Sequence, residues 1–177
     1  MSAVICLAVQ VIMDDFTTQN RPAKPAAEER MAEIILPHQT NGYGTMFGGD
    51  VMALMDKAAA IAALRFCRLP VVTASTERID FRTPIGQGEI VEAFSRVIYV
   101  GRSSMVVRVH LFAEHPLIGD RRLCTTGYFS MVAINREGGP SPTVPQLLLL
   151  DDEARAEHAV GAEIHAAIAA RRNTGRP

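Results

Sequence analysis

Residues Thr45 to Asp56 read TMFGGDVMALMD, and the chain runs on as KAAAIAALRFC to Cys67. Two glycines followed by a long apolar, alanine-rich run predict one helix from about Gly48 to Cys67. At about 100° per residue from Asp50, the polar side chains Lys57, Arg65 and Arg68 fall near −20°, 60° and 0°, forming one solvated stripe. Asp56 falls near −120°, beside Met52, Ala60, Ala63 and Cys67, on the flank suited to packing rather than to water. A carboxylate there costs free energy unless it is paired or used. It reads either as a structural acid satisfied by an amide or an arginine, or as a general base near a helix N-terminus. Gly48 and Gly49 bear on the second reading. Glycines in a first helical turn let backbone amides approach a ligand, and those unpaired N–H groups suit a developing oxyanion.

At 177 residues the chain is long enough for one domain with a real core. It is 48% hydrophobic and 21% charged, and 18 basic against 19 acidic side chains leave a net charge of −1, with no electrostatic footprint for nucleic acid. Cys6, Cys67 and Cys124 are odd in number and lack CxxC spacing, which points to a reducing compartment and away from disulfides or a zinc site. The five histidines offer no pair with ligand spacing; His38 lies in the loop before the helix, and His110, His115, His158 and His165 read as surface residues. There is no P-loop, dinucleotide fingerprint or GxSxG elbow.

The apolar run Ala3 to Met13 has no preceding basic residue and no clear cleavage site, so it reads as an accessory segment rather than a signal peptide. It is too short to span a bilayer. Gln19 to Glu29, QNRPAKPAAEE, reads as a linker. The expected division is therefore an N-terminal extension and linker over 1–30, a domain over 31–146, and a C-terminal helix and tail over 147–177.

Met31 to Leu36 is a short strand candidate. Val71 to Phe81, Glu89 to Val100, Ser103 to His115 and Arg121 to Ile134 are four β-rich runs. In Ser103 to His115, Met105, Val107, Val109, Leu111 and Ala113 share one face, and Ser104, Arg108, His110 and Glu114 share the other, so one face is buried and the other wetter. Short connections, RTPIGQG after Phe81, Gly101–Arg102, and PLIGD before Arg121, predict a meander of antiparallel hairpins. Asp151 to Arg172 reads as an alanine-rich helix, acidic early and basic late. The fold class is α+β, with a curved antiparallel sheet of about five strands wrapping a long central helix, plus an additional C-terminal helix.

The helix within a curved sheet, preceded by NGYGTMFGGDVMALMD (Asn41 to Asp56), resembles the hotdog fold. More narrowly, the chain is similar to the YciA-type acyl-coenzyme A thioester hydrolases. The stretches that carry the likeness are Asn41 to Asp56, Val71 to Glu89, Val100 to Val109, and Tyr128 to Pro145. They cover roughly residues 33 to 145 and leave the N-terminal segment and the C-terminal helix outside.

The resemblance implies hydrolysis of acyl-CoA to free acid and coenzyme A with no cofactor or metal, Asp56 activating water against the thioester carbonyl. Covalent attack by Asp56 to give an anhydride remains the alternative mechanism. Gly48 and Gly49 would supply the oxyanion donor, and Asn41 would orient thioester or water, although it equally suits a turn or a helix-start cap. Thr73 and Ser75 would face the active site of the partner subunit. Gly101, Arg102, Ser103 and Ser104 match a nucleotide-contacting turn, which by itself reads as a hairpin turn, and Arg82 is a further cation for coenzyme A. The resemblance also implies a cytoplasmic homodimer, with a trimer of dimers by analogy, and no nucleic-acid or membrane partner. The unpaired sheet edges point independently to a second copy. Two rivals stand beside this reading: a non-catalytic acyl-CoA-binding or sensing hotdog module, and a hotdog dehydratase, for which no histidine fills the role.

Overall fold

In the computed structural model the backbone is described for residues 22–174 and side chains for residues 22–171. The apolar run Ala3 to Met13, Cys6 and the start of the linker lie outside the described residues. The elements are β1 (Glu29–Ile34), a short 3₁₀ turn (Pro37–Gln39), α1 (Gly48–Cys67), β2 (Val71–Phe81), β3 (Ile90–Val100), β4 (Ser104–Glu114), β5 (Arg122–Ala133) and α2 (Asp152–Thr174). All strand pairs are antiparallel, in the order β1-β3-β4-β5-β2.

The α1 helix lies on the inner face of this sheet, and its small residues explain how closely. Ala58, Ala59, Ala62 and Ala63 are buried, so the strands approach the helix backbone, and the Ser95 hydroxyl donates to the Ala58 carbonyl at 2.9 Å. The helix ends at Arg68, whose left-handed φ of 55° turns its amide back to the Leu64 carbonyl. The alternation expected in the fourth strand holds: Met105, Val107, Val109, Leu111 and Ala113 all face the core.

The expected meander holds for β3, β4 and β5 and fails at β2. Instead of pairing with β3, β2 crosses to the far edge and pairs with β5. Residues 82–89 can reach about 26 Å when extended, while three interstrand spacings come to about 14 Å, so the segment read as a hairpin is long enough to cross the end of the sheet. It is pinned there. Arg122 donates to the Pro84 carbonyl at 3.1 Å and to both Glu89 carboxylate oxygens at 2.8 and 2.7 Å, and the Gly86 amide donates to Glu89 at 2.6 Å. Burial pushes the Glu89 carboxyl up, but the bonds from Arg122 and Gly86 outweigh it and hold it below the usual carboxylate range.

On the outer face, α2 crosses from β3 toward β2. Glu157 reaches Arg108 and Arg96 on the sheet, and Arg171 pairs with Glu77 on β2. The part of the linker within the described residues is docked rather than free. Lys24 bonds through its backbone to Gln146 and Leu148 at 3.0 Å each, and Glu28 pairs with Arg108, because a buried guanidinium takes whatever acceptors reach it.

Three histidines also depart from the surface reading. His110 sits on the outer face against Thr126 at 3.0 Å, where burial, with the charges of Arg108 and Arg82, pushes its imidazole down to about 4. His158 and His165 pack on Tyr99. Among the described residues, no helix is long and apolar enough to cross a membrane.

Candidate active site

Asp56 stands at a border. On its own flank Ala63 and Cys67 are fully buried, whereas Met52, one turn earlier, is 43% exposed. The flank predicted to pack is therefore closed at one end and open at the other, and Asp56 is half-buried between them. The Thr73 hydroxyl donates to Asp56 Oδ1 at 2.6 Å and also approaches Met131 Sδ at 3.5 Å. This pairing occurs within one chain; the resemblance implies in addition that Thr73 faces the active site of a partner subunit.

Ser75 is not at this site. Thr73 is opposite Met131 but Ser75 is opposite Ser130, a register shift at Ala74. Met131 and Ser130 are adjacent and point to opposite faces, so the bulge turns Ser75 to the outer face. There it donates to Glu77 at 2.7 Å, the residue that holds Arg171 of α2.

A second group gathers at the start of α1. Asn41 closes its own loop: its side-chain oxygen accepts from the Tyr43 amide at 2.9 Å and the Thr45 amide at 3.3 Å, and its side-chain nitrogen meets the Thr45 hydroxyl at 3.0 Å. This is the turn role left open by the sequence, and it fixes the segment leading into the helix. The Phe47 amide bonds to the Gln39 carbonyl at 2.8 Å, and the Met46 amide to the Ile85 carbonyl at 2.7 Å. No side chain caps α1, so the first-turn amides at Gly48 and Gly49 keep the orphan donors of a helix start. Beside them opens a cleft of about 250 Å³ lined by Met46, Val51, Phe81, Arg82, Thr83, Pro84, Ile85 and Thr125. Sequence reasoning missed this cleft, because its walls come from four separated segments and no local pattern joins them.

The residues read from sequence thus fall into two groups. Asn41, Gly48 and Gly49 lie at the start of α1. Asp56 and Thr73 lie two turns further on, about 12 Å along the axis from Gly48. The two cation candidates also separate. Arg82 is exposed beside the cleft, whereas Gly101 to Ser104 form the turn at the opposite end of β3, about 33 Å away along an eleven-residue strand. That turn is closed by the Gly101 amide on the Ser104 carbonyl at 2.8 Å and buttressed by the Val144 amide on the Arg102 carbonyl at 2.9 Å. Among the described residues, no cluster of three or more His, Cys, Asp or Glu side chains has the arrangement of a metal site.

Residues 43–119 match the family model of the thioesterase superfamily. The chain is 42% identical over 114 residues to the uncharacterized acyl-CoA thioester hydrolase YkhA of Bacillus subtilis, an alignment covering 64% of this chain and 66% of that one. Among solved structures it is similar to the acyl-CoA hydrolase of Staphylococcus aureus in complex with butyryl coenzyme A, coenzyme A and coenzyme A disulfide. The TM-score is 0.79 at 33% identity, covering 86% of this chain and 94% of that one. That enzyme has also been solved as three variants in which an asparagine, an aspartate and a threonine are each replaced by alanine. An apo hexameric acyl-CoA thioesterase superposes with a TM-score of 0.79 at 32% identity, over 88% of this chain and 99% of that one. The five-stranded antiparallel sheet around α1, the superfamily match and near-complete superposition on acyl-CoA hydrolases at more than 30% identity agree: this chain belongs to the acyl-CoA thioester hydrolases of the hotdog thioesterase superfamily.

Proposed function

We propose that this chain hydrolyses acyl-CoA thioesters to a free carboxylic acid and coenzyme A, with Asp56 as general base at a site completed by a second copy of the chain. The observation that carries this is the half-buried Asp56 carboxylate held at 2.6 Å by the Thr73 hydroxyl. The asparagine, aspartate and threonine replaced in the Staphylococcus aureus variants are spaced in that chain as Asn41, Asp56 and Thr73 are here, which supports carrying their roles to these three positions. Asp56 takes a proton from water, the hydroxide oxygen bonds to the carbonyl carbon, and the C–S bond breaks with the sulfur leaving as the coenzyme A thiol once protonated. Thr73 fixes which carboxylate oxygen is free to face the water.

The oxyanion needs donors within about 3 Å, and the orphan amides at Gly48 and Gly49 are of the right kind. They lie about two turns from Asp56 of the same chain, so the compact arrangement pairs Asp56 of one copy with the helix start of another. The surroundings favour such a partner: Tyr43, Phe47, Met52, Val72 and Phe81 are exposed apolar side chains around both groups, and β2 is an edge strand. A homodimer follows, and the hexameric relative supports a trimer of dimers. The apolar cleft beside Gly48 is suited to the acyl chain, and the Gly101–Ser104 turn, with the exposed Arg102, to the nucleotide phosphates. We place the enzyme in the cytoplasm, where acyl-CoA and a reducing environment for its buried thiols coincide.

Replacing Asp56 with Asn should lower kcat by on the order of 10² to 10⁴ with coenzyme A affinity retained. Full turnover by a folded Asp56→Asn protein would refute the base. Tight acyl-CoA binding by the unaltered protein without any turnover would instead make this a binding or sensing module.

A further inference from the structure

A register shift between Val97 and Tyr99 places Tyr99 opposite Val106, turning its ring to the outer face, under α2. His158 and His165, seven residues apart and so on one side of that helix, bracket the ring with centroids 5.1 and 4.9 Å away. The helix sits close because Gly161 lets it. A Cβ there would stand 2.6 Å from the Tyr99 Cβ, so any side chain would lift α2 from the strand.

The consequence is a small cradle at the end of β3. The position a Cβ on Gly101 would occupy lies 2.7 Å from the Ser104 hydroxyl and 3.3 and 3.6 Å from His165 Cε1 and Nε2. A hydroxyl and an imidazole thus converge on a space that only glycine leaves open. Arg102 follows directly in the same turn with its side chain exposed, and Ser103 is half-buried beside it. Among the described residues, the Arg102 guanidinium, the Ser103 and Ser104 hydroxyls and the His165 ring nitrogens make no hydrogen bond or ion pair. Four donor-bearing side chains with free valences at one turn are the makings of a site for a phosphate-bearing group.

We infer that His165 is a binding residue for the nucleotide phosphates of acyl-CoA, supplied by α2 to the Gly101–Ser104 turn. The inference rests on that turn being the nucleotide site proposed above. It gives α2, which lies outside the matched superfamily region, a role in the affinity of the enzyme for its substrate. The Tyr99 stack is the device that holds the imidazole in place.

The test compares an acyl-CoA with the corresponding acyl-pantetheine thioester, which carries the same acyl group and no phosphate. His165→Phe keeps an aromatic ring against Tyr99 and removes both ring nitrogens. It should raise KM for acyl-CoA roughly threefold to tenfold, leave kcat unchanged and leave the acyl-pantetheine KM as it was. His165→Gln, which restores a donor, should recover part of the loss and serves alone if the Phe variant does not fold. An unchanged KM for acyl-CoA, or equal rises for both substrates, overturns the assignment. Arg102→Ala separates the two levels: a selective loss there without one at His165 refutes the histidine alone, whereas no selectivity in either variant refutes the nucleotide turn and the histidine with it.

Discussion

The two ends of the functional stretch of α1 make opposite offers. At the start of the helix, around Asn41, Gly48 and Gly49, the chain presents backbone donors with no cap and an apolar cleft. Two turns later, at Asp56 and Thr73, it presents an oriented acceptor on a flank that is half open. One end is suited to stabilising developing negative charge and the other to removing a proton, and a thioester hydrolase needs both at one carbonyl. Each end taken alone has nothing to react. The difference teaches that, on the mechanism proposed above, a single copy carries two complementary half-sites and a second copy would complete them.

The largest effects come from breaking one half at a time. Asp56→Asn should be nearly inactive, and so should a variant with Gly49 replaced by a bulky residue such as valine, which crowds the helix start. Mixed and re-equilibrated in equal amounts, the two should regain about a quarter of the unaltered activity, because half the dimers would be mixed and each of those would hold one intact site. No recovery, with mixed dimers shown to form, would place both halves of the site in one chain.

Thr73→Val tests the orientation of the acceptor. A hydrogen bond to a charged group contributes about 1.5–3 kcal/mol, so kcat should fall by at least about tenfold while Thr73→Ser stays near the unaltered rate. Equal losses in both variants would indicate packing rather than the hydroxyl.

At the other end, the loop that leads into the cleft depends on Glu89 and Arg122. The Glu89 carboxyl is held below its ordinary range in the folded protein, so its stabilising contribution is complete above the ordinary glutamate pKa and is lost as pH falls through the lowered folded value. Thermal melts across the acid range should show a steeper loss for the unaltered protein than for Glu89→Gln, which starts lower and changes less. Parallel acid limbs would remove Glu89 from the account. The smallest effect is expected at Ser75. Facing Glu77 on the outer side, its replacement by Ala should leave kcat within about twofold, and a large kcat loss would return it to the site.

Much of the fold is legible in the sequence. The helix over Gly48–Cys67, the alternation of β4 and the C-terminal helix all follow from local periodicity, which burial enforces residue by residue. Asp56 was legible for the same reason, as a charge set on a flank of alanines. Strand order was not. The path of β2 to the far side of β5 depends on which edge the 82–89 segment reaches, and that segment is pinned by Arg122 and Glu89, thirty-three positions apart in sequence and adjacent only in the folded chain.

The sequence by itself determined the element types, the acid on the central helix, the glycines before it and the family likeness, because each is written in neighbouring residues. Only the tertiary structure decided that Thr73 holds Asp56 while Ser75 is turned away, since one inserted residue at Ala74 reverses the side of the positions that follow it, up to the second register shift between Thr76 and Ile79. It alone separated Arg82 from Arg102, brought His165 over Gly101, and set Asn41, Gly48 and Gly49 at the start of α1 apart from Asp56 and Thr73 two turns further on. These are relations between distant segments, and their physical cause is the pairing register and the packing of helices on the sheet, which no local pattern encodes.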